Sequence, residues 1–258
     1  MSSSPAGALR QKCELLRSLH RPGRPLVLPN AWDVSSAQAV VGAGFPVVAT
    51  TSGGVAAALG YGDHEQAPAA EMFAVAARIA RSVDVPVTVD AEAGYGLGPD
   101  DLIEALLNAG VAGCNLEDTD HSTGALRDVA AHSDWLAAVR KAAESRGYAI
   151  VINARVDVFF PQHLAGAPAK AMLDEGVARA RAYVGAGADC VYPILLSDAQ
   201  VIEDFTKAVE HPVNILALPA APSIAQLTDL GVARISYGSL LHRRSMDQLS
   251  ALLGSLRP

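Results

Sequence analysis

The feature that most constrains this chain is a rhythm. Eight short runs of apolar and β-branched residues recur along it: RPLVLPNA, FPVVATTS, VPVTVDAE, VAGCNLED, YAIVINAR, ADCVYPIL, HPVNILAL and VARISYGS. Between them lie stretches with Ala and Leu at helical spacing, such as AAEMFAVAARIARS, DDLIEALLNAG, SDWLAAVRKAAESRG and DEGVARARAYVGAG. Runs that are apolar nearly throughout suit strands of a parallel sheet covered on both faces. Helical stretches that end in Gly just before the next strand supply that cover. Eight strand–helix units in 258 residues predict an α/β chain folded as a (β/α)8 TIM barrel. An open doubly wound sheet is the alternative, since periodicity alone does not show closure. No linker, low-complexity stretch or charge block divides the sequence. The expectation is therefore a single domain over residues 1–258, with the segment up to Arg24 forming an N-terminal capping helix.

Composition narrows the function. With 50% hydrophobic and 18% charged residues, the chain has enough apolar surface to bury a core, which excludes intrinsic disorder. A net charge of −7 argues against a nucleic-acid partner. It leaves room for an anionic small molecule, because a bound cation inverts the local field of an acidic protein. Cys13, Cys114 and Cys190 are widely spaced and odd in number, so no disulfide framework is expected and a reducing, cytoplasmic location follows. The N-terminal MSSSPAGALRQKCELLRSL lacks the apolar core of a secretory signal. The charge-free run from Val34 to Gly62 is broken by Gly42, Gly44, Pro46, Gly53 and Gly54. It reads as helix, strand and loop rather than as a membrane span.

In a barrel of this kind the active site forms at the C-terminal ends of the strands. Five runs end in polar residues: Asn30-Ala-Trp-Asp33, Thr50-Thr-Ser-Gly-Gly54, Asp90-Ala-Glu92, Asn115-Leu-Glu-Asp118 and Asn153-Ala-Arg155. Later ends, Tyr192-Pro-Ile194 and Leu216-Ala-Leu218, are nearly apolar. Asp90 and Glu92, two apart on a strand, would face the same side, with Glu117 beside them on the next strand. Neighbouring carboxylates repel unless a cation or protons intervene, and an oxygen-rich set suits Mg²⁺. The plainer alternative is that these acids cap helices or pair with surface Arg. Arg155 could clamp a carboxylate or phosphonate bidentately, or serve as a salt bridge inside the acidic cluster. The Ser52-Gly53-Gly54 loop offers backbone N–H groups and a hydroxyl to an anion. His121 is a candidate general acid, with a solvated loop histidine as the alternative. Cys114 and Cys190 read as packing.

These motifs together resemble the isocitrate lyase/phosphoenolpyruvate mutase superfamily from about Leu26 to Leu241. They are LPNAWDVSSA (28–37), TSGGVAAALGYGD (51–63), VDAEAGYG (89–96), NLED (115–118) and NARVD (153–157). The chain looks like the NAWD-type branch, many of whose members have no assigned reaction. The resemblance implies Mg²⁺, with Mn²⁺ as an alternative, held directly by Asp90 and through waters by Glu92, Glu117 and Asp63. It implies that Ser52, Gly53, Gly54 and Arg155 bind a 2-oxo acid carboxylate, and that Asp63, Arg155 and His121 are candidates for the catalytic machinery. It also implies formation or cleavage of a bond beside a small 2-oxo or 2-hydroxy acid through an enolate, and assembly as a homodimer or homotetramer. The catalytic cysteine loop of isocitrate lyases is replaced here by Asp118-Thr-Asp-His-Ser-Thr-Gly-Ala-Leu126. A conventional isocitrate lyase is therefore not expected. The leading expectation is a Mg²⁺-dependent carbon–carbon lyase. The rivals are a phosphonopyruvate hydrolase or phosphonomutase, and a 2-oxo acid binding barrel with little turnover. No membrane partner is expected.

Overall fold

A computed structural model describes residues 5–163 and 169–257. Residues 1–4, on which the reading of the N-terminus partly rests, lie outside the described residues, as do 164–168 and 258 of the expected domain. All eight apolar runs form strands: β1 (Leu26–Leu28, resuming as Asn30–Ala31), β2 (Val48–Thr50), β3 (Val87–Asp90), β4 (Gly113–Glu117), β5 (Val151–Val156), β6 (Cys190–Pro193), β7 (Asn214–Leu216) and β8 (Arg234–Ser236). Asn30–Ala31 opens a parallel series that runs through β2, β3, β4, β5 and β6, while Leu26–Leu28 pairs with β8 and β8 with β7. A parallel bridge between Val191 and Val213 joins the β6 and β7 sides. Only Pro29 separates the two pieces of β1, so the ring closes and the open sheet is excluded.

The helices are α1 (Pro5–Leu19), α2 (Val34–Gly42), α3 (Ser52–Leu59), α4 (Ala69–Ser82), α5 (Pro99–Ala109), α6 (Val129–Ser145), α7 (Ala169–Gly185), α8 (Ala199–Val209), α9 (Ile224–Asp229) and α10 (Leu240–Ser255). Their ends follow local chemistry. Asp33 and Ser36 form a reciprocal capping box at α2, satisfying donors that the first turn leaves open. Gly110 closes α5 at φ 72°, a conformation costly for other residues. Among the described residues no helix is long and apolar enough to cross a membrane.

Strand alternation separates two environments. Cys114 and Leu116 point outward and are buried beneath helices that contribute Leu102, Ile103, Leu106, Leu136 and Val139. Each such aliphatic side chain contributes about 1.5–3 kcal/mol on burial. Asn115 and Glu117, on the opposite face of β4, point into the barrel. Parallel register sets Glu117 beside Arg155 and Arg155 beside Tyr192, with Asp90, Asn115 and Asn153 in the row below. The floor is closed by α1, as expected of a capping helix. A Cβ at position 113 would lie 2.8 Å from Leu16 Cδ2, so Gly113 permits the close approach of this plug. Arg17 donates to the Ala149 and Ile150 carbonyls and to Asp189.

Candidate active site

At the other end of the cylinder lies a cavity of about 290 Å³. One side carries Ser52, Asp63, Asp90, Glu92, Glu117 and Arg155. Phe160 lies beside Arg155; the chain at and after the ends of β6 and β7 contributes Ile194, Leu195, Leu216 and Leu218, and Ser236, Tyr237, Ser239 and Arg243 also line the wall. The division between polar and apolar strand ends is therefore a division of the cavity wall.

Each acid arrives by its own route. Asp90 ends β3, where its N–H donates to Thr50 Oγ1 and its Oδ2 accepts from the Ser52 N–H at 3.3 Å. Glu117 ends β4. Glu92 does not arrive by strand alternation: β3 stops at Asp90, and Glu92 occupies a turn at φ 47°. Tyr95, at φ 54° in the same turn, donates its hydroxyl to Glu92 Oε1 at 2.7 Å, and the Glu65 N–H donates to Oε2 at 2.7 Å. The glycine-rich stretch that reads as a loop is the first turn of α3, so its N–H groups point out of a helix N-terminus. A Cβ on Gly53 would meet Asp63 Oδ2 at 2.6 Å, which shows how closely Asp63 approaches this turn. Gly54 faces elsewhere. Its Cβ position is crowded by Thr51, Trp32 and His242, so it serves packing rather than the cavity wall.

Arg155 departs from the expected open clamp. Its Nε and Nη2 donate to the two oxygens of Asp157 at 2.6 and 2.8 Å, and Nη1 meets Glu117. The bidentate edge is thus engaged within the protein, as the salt-bridge alternative foresaw. Asp157 also accepts from Thr119 and donates its N–H to Asp118, which accepts from Tyr183 and Arg179. Burial pushes Asp157 up, but the Arg155 charge together with the hydrogen bonds from Arg155 and Thr119 outweighs it and holds the carboxyl below its ordinary range.

His121 is not solvated. It sits at the turn of a hairpin (Thr119–Asp120 with Ala125–Leu126), its side chain only 9% exposed, with Nε2 2.5 Å from Glu117 Oε1 and 4.0 Å from Glu92 Oε2. His64, which sequence reasoning missed, approaches at φ 66° and packs its ring 5.2 Å from that of His121.

This end of the barrel is electrostatically frustrated. Burial first, then the charge of Asp90, pushes Glu92 up to about 8. Burial also raises Glu117 well above the usual range, with Asp157, Asp90 and Asp63 adding to the effect and Arg155 opposing it. Among the described residues, Asp63 Oδ1 and Asp90 Oδ1 are buried without a hydrogen-bond partner. Such orphan carboxylate oxygens are costly and fit a cation. His64, Glu92 and His121 offer a second donor group, with ligand atoms all within 4.8 Å of one another.

The sequence pattern of the phosphoenolpyruvate phosphomutase family matches residues 16–257. The chain belongs to that family. Within the wider isocitrate lyase/phosphoenolpyruvate mutase superfamily, it is 37% identical over 222 residues to an uncharacterized protein of Mycobacterium tuberculosis, covering 86% of this chain and 81% of that one. A crystal structure from Burkholderia cenocepacia J2315, provisionally named a phosphonomutase, superposes with a TM-score of 0.90 at 44% identity, covering 96% of this chain and 99% of the other. The crystal structure of a 2,3-dimethylmalate lyase superposes with a TM-score of 0.83 at 26% identity, covering 95% and 84%. The family's setting is thus one of lyases and mutases of small acids.

Proposed function

We propose that the chain is a Mg²⁺-dependent lyase that cleaves a carbon–carbon bond next to the carbonyl or hydroxyl of a small 2-oxo or 2-hydroxy acid. The observation that carries this reading is the pair of unpartnered oxygens on Asp63 and Asp90, in one cavity with Glu92, Glu117 and the apolar Ile194, Leu216 and Leu218. Asp90 would hold the cation directly, with Asp63, Glu92 and Glu117 around it. The oxygen donors suit Mg²⁺, and the neighbouring imidazoles of His64 and His121 also accommodate Mn²⁺. When bound, the cation supplies Lewis acidity toward a keto oxygen.

The protein's own groups do the rest. The Ser52 and Gly53 N–H groups at the start of α3 receive a carboxylate, favoured by the helix dipole. Arg155 sets a positive charge in the wall. His121, held by Glu117, is placed to give or take a proton at Nε2. Ile194, Leu216 and Leu218 exclude water from an alkyl substituent, and the name of the dimethylmalate lyase relative agrees with a substrate that bears one. The chain would work in the cytoplasm as a homodimer or homotetramer. Exposed Leu249, Leu252 and Leu253 on α10 and Leu256 just beyond it support self-assembly, which light scattering tests.

The decisive experiment screens 2-oxo, 2-hydroxy and phosphono acids for turnover with and without Mg²⁺, alongside calorimetry with oxalate. Cation-dependent cleavage of a carbon skeleton is expected, and Asp90→Ala should abolish both turnover and cation-dependent oxalate binding. Phosphate release from phosphonopyruvate would favour the second reading, a phosphonopyruvate hydrolase or phosphonomutase, to which the 44% identical relative lends weight. Tight oxalate binding without product would point to a binding barrel. Unchanged binding by Asp90→Ala would refute the metal assignment.

A further inference from the structure

Below the acidic cluster the barrel holds a guanidinium with no carboxylate partner. Arg234, at the start of β8, is 1% exposed, and among the described residues its Nε and Nη1 have no hydrogen-bond partner. Its Nη2 donates to Asn115 Oδ1 at 3.1 Å. The same oxygen accepts from Asn153 Nδ2 at 2.8 Å.

This geometry settles which way the Asn115 amide points. A guanidinium has only donors, so the Asn115 atom that faces Arg234 must be the oxygen. The NH₂ end therefore turns away from Arg234. Asn115 lines the cavity, and among the described residues no group accepts from its Nδ2. Asn30, also in the cavity wall, is a useful contrast. Its amide donates to the Thr50 carbonyl at 2.6 Å and its oxygen accepts from the Tyr237 N–H at 2.8 Å, so both ends of that amide are engaged by the backbone.

We propose that Asn115 is a further substrate-binding residue, its NH₂ presented to the cavity by Arg234 and Asn153 and donating to an oxygen of a bound 2-oxo acid. The proposal rests on the reading of the cavity as a site for a small anionic acid. Asp63, Asp90, Glu92 and Glu117 in the same wall repel such a ligand, so a fixed neutral donor in the row below Glu117 has a distinct use. It can hydrogen-bond an anionic oxygen without competing for the cation. Arg234 acts through Asn115 as a positioning residue. It prevents the amide from flipping and adds a positive charge beneath the cavity.

The test is calorimetry of the full chain with Mg²⁺ alone and with oxalate in the presence of Mg²⁺. Asn115→Asp replaces the donor by an acceptor of equal size, and Asn115→Leu removes the donor without adding charge. Oxalate affinity should fall at least about thirtyfold in the first and about tenfold in the second, with Mg²⁺ binding retained in Asn115→Leu. Arg234→Met should weaken oxalate binding about tenfold, Arg234→Lys should recover most of that loss, and Arg234→Met should add little in the Asn115→Leu background. Additive losses would reduce Arg234 to a structural role and overturn its part in the proposal. Oxalate binding that Asn115→Leu leaves unchanged overturns the role of Asn115 alone. A wild-type protein that binds no oxalate with Mg²⁺ overturns the anionic-acid reading and this inference with it.

Discussion

The two ends of the barrel handle charge in opposite ways. At the floor, Asp189 accepts from Arg17 at 2.8 Å, from Arg140 at 2.6 Å and from the Ile152 N–H at 2.8 Å. Every group in that knot has a partner, and the knot ties α1 and α6 to β5 and β6. At the mouth, Asp63 and Asp90 each keep a buried oxygen without one among the described residues, and Glu92 and Glu117 are raised by their surroundings. The floor is built for persistence, whereas the mouth tolerates repulsion that a ligand can relieve. The same fold thus separates stability from binding by about the length of a strand.

Mutations that exchange these roles would break the comparison. Asp189→Ala strips three donors of their shared acceptor and should lower stability by about 3 kcal/mol, read as a shifted urea midpoint, with oxalate affinity unchanged. A comparable loss of affinity would show that the two ends are not independent. Asp63→Asn at the mouth should do the reverse. It should cost about tenfold in cation affinity, near 1.4 kcal/mol, and leave the urea midpoint level or slightly higher because a like charge is removed.

A pH series sharpens the contrast at the floor. His20 is lowered to about 4, first by burial and then by Arg234. The native state therefore binds fewer protons than the unfolded chain between pH 4 and the ordinary histidine value of 6.5. Stability should fall as pH drops through that window, by up to about 1.4 kcal/mol per pH unit. His132, lowered to about 3 by burial and by Arg127 and Arg179, adds a slope of the same sign. The difference between wild type and His20→Leu in urea melts isolates the floor histidine, and parallel curves would exclude its contribution. The smallest effect belongs to the apolar wall. Leu218→Ser should weaken an alkyl-bearing acid by about fivefold, near 1 kcal/mol, and leave oxalate unaffected in competition calorimetry.

Much of this arrangement is legible in the amino-acid string. Strand ends rich in acid on one half of the chain and in Ile and Leu on the other half predict a two-sided cavity, because barrel topology brings those ends together. Asp90, Glu92, Glu117, Asp63 and Ser52 line that one cavity. Pairing across long separations is less legible. That Arg155 is shared between Asp157, two residues on, and Glu117, on the neighbouring strand, follows from β5 ending at Val156 and pairing in register with β4. The shelter of His121 depends on a hairpin that folds it back onto Glu117, and His64 and Glu92 themselves take left-handed backbone conformations that residues of their type do not announce. The Arg234–Asn115 contact spans 119 residues and follows only from closure of the ring.

The plug at the floor has a consequence for traffic. With α1 seated against Gly113 and Leu16 buried beneath the strands, a molecule in the cavity has no rear exit. Traffic is confined to the side of the strand C-terminal ends, so a reaction that splits its substrate would release both fragments there. On the proposed lyase reading, a fragment resting on the Leu216–Leu218 side and one beside Asp90 would be held by different forces, and that difference would set the order of release.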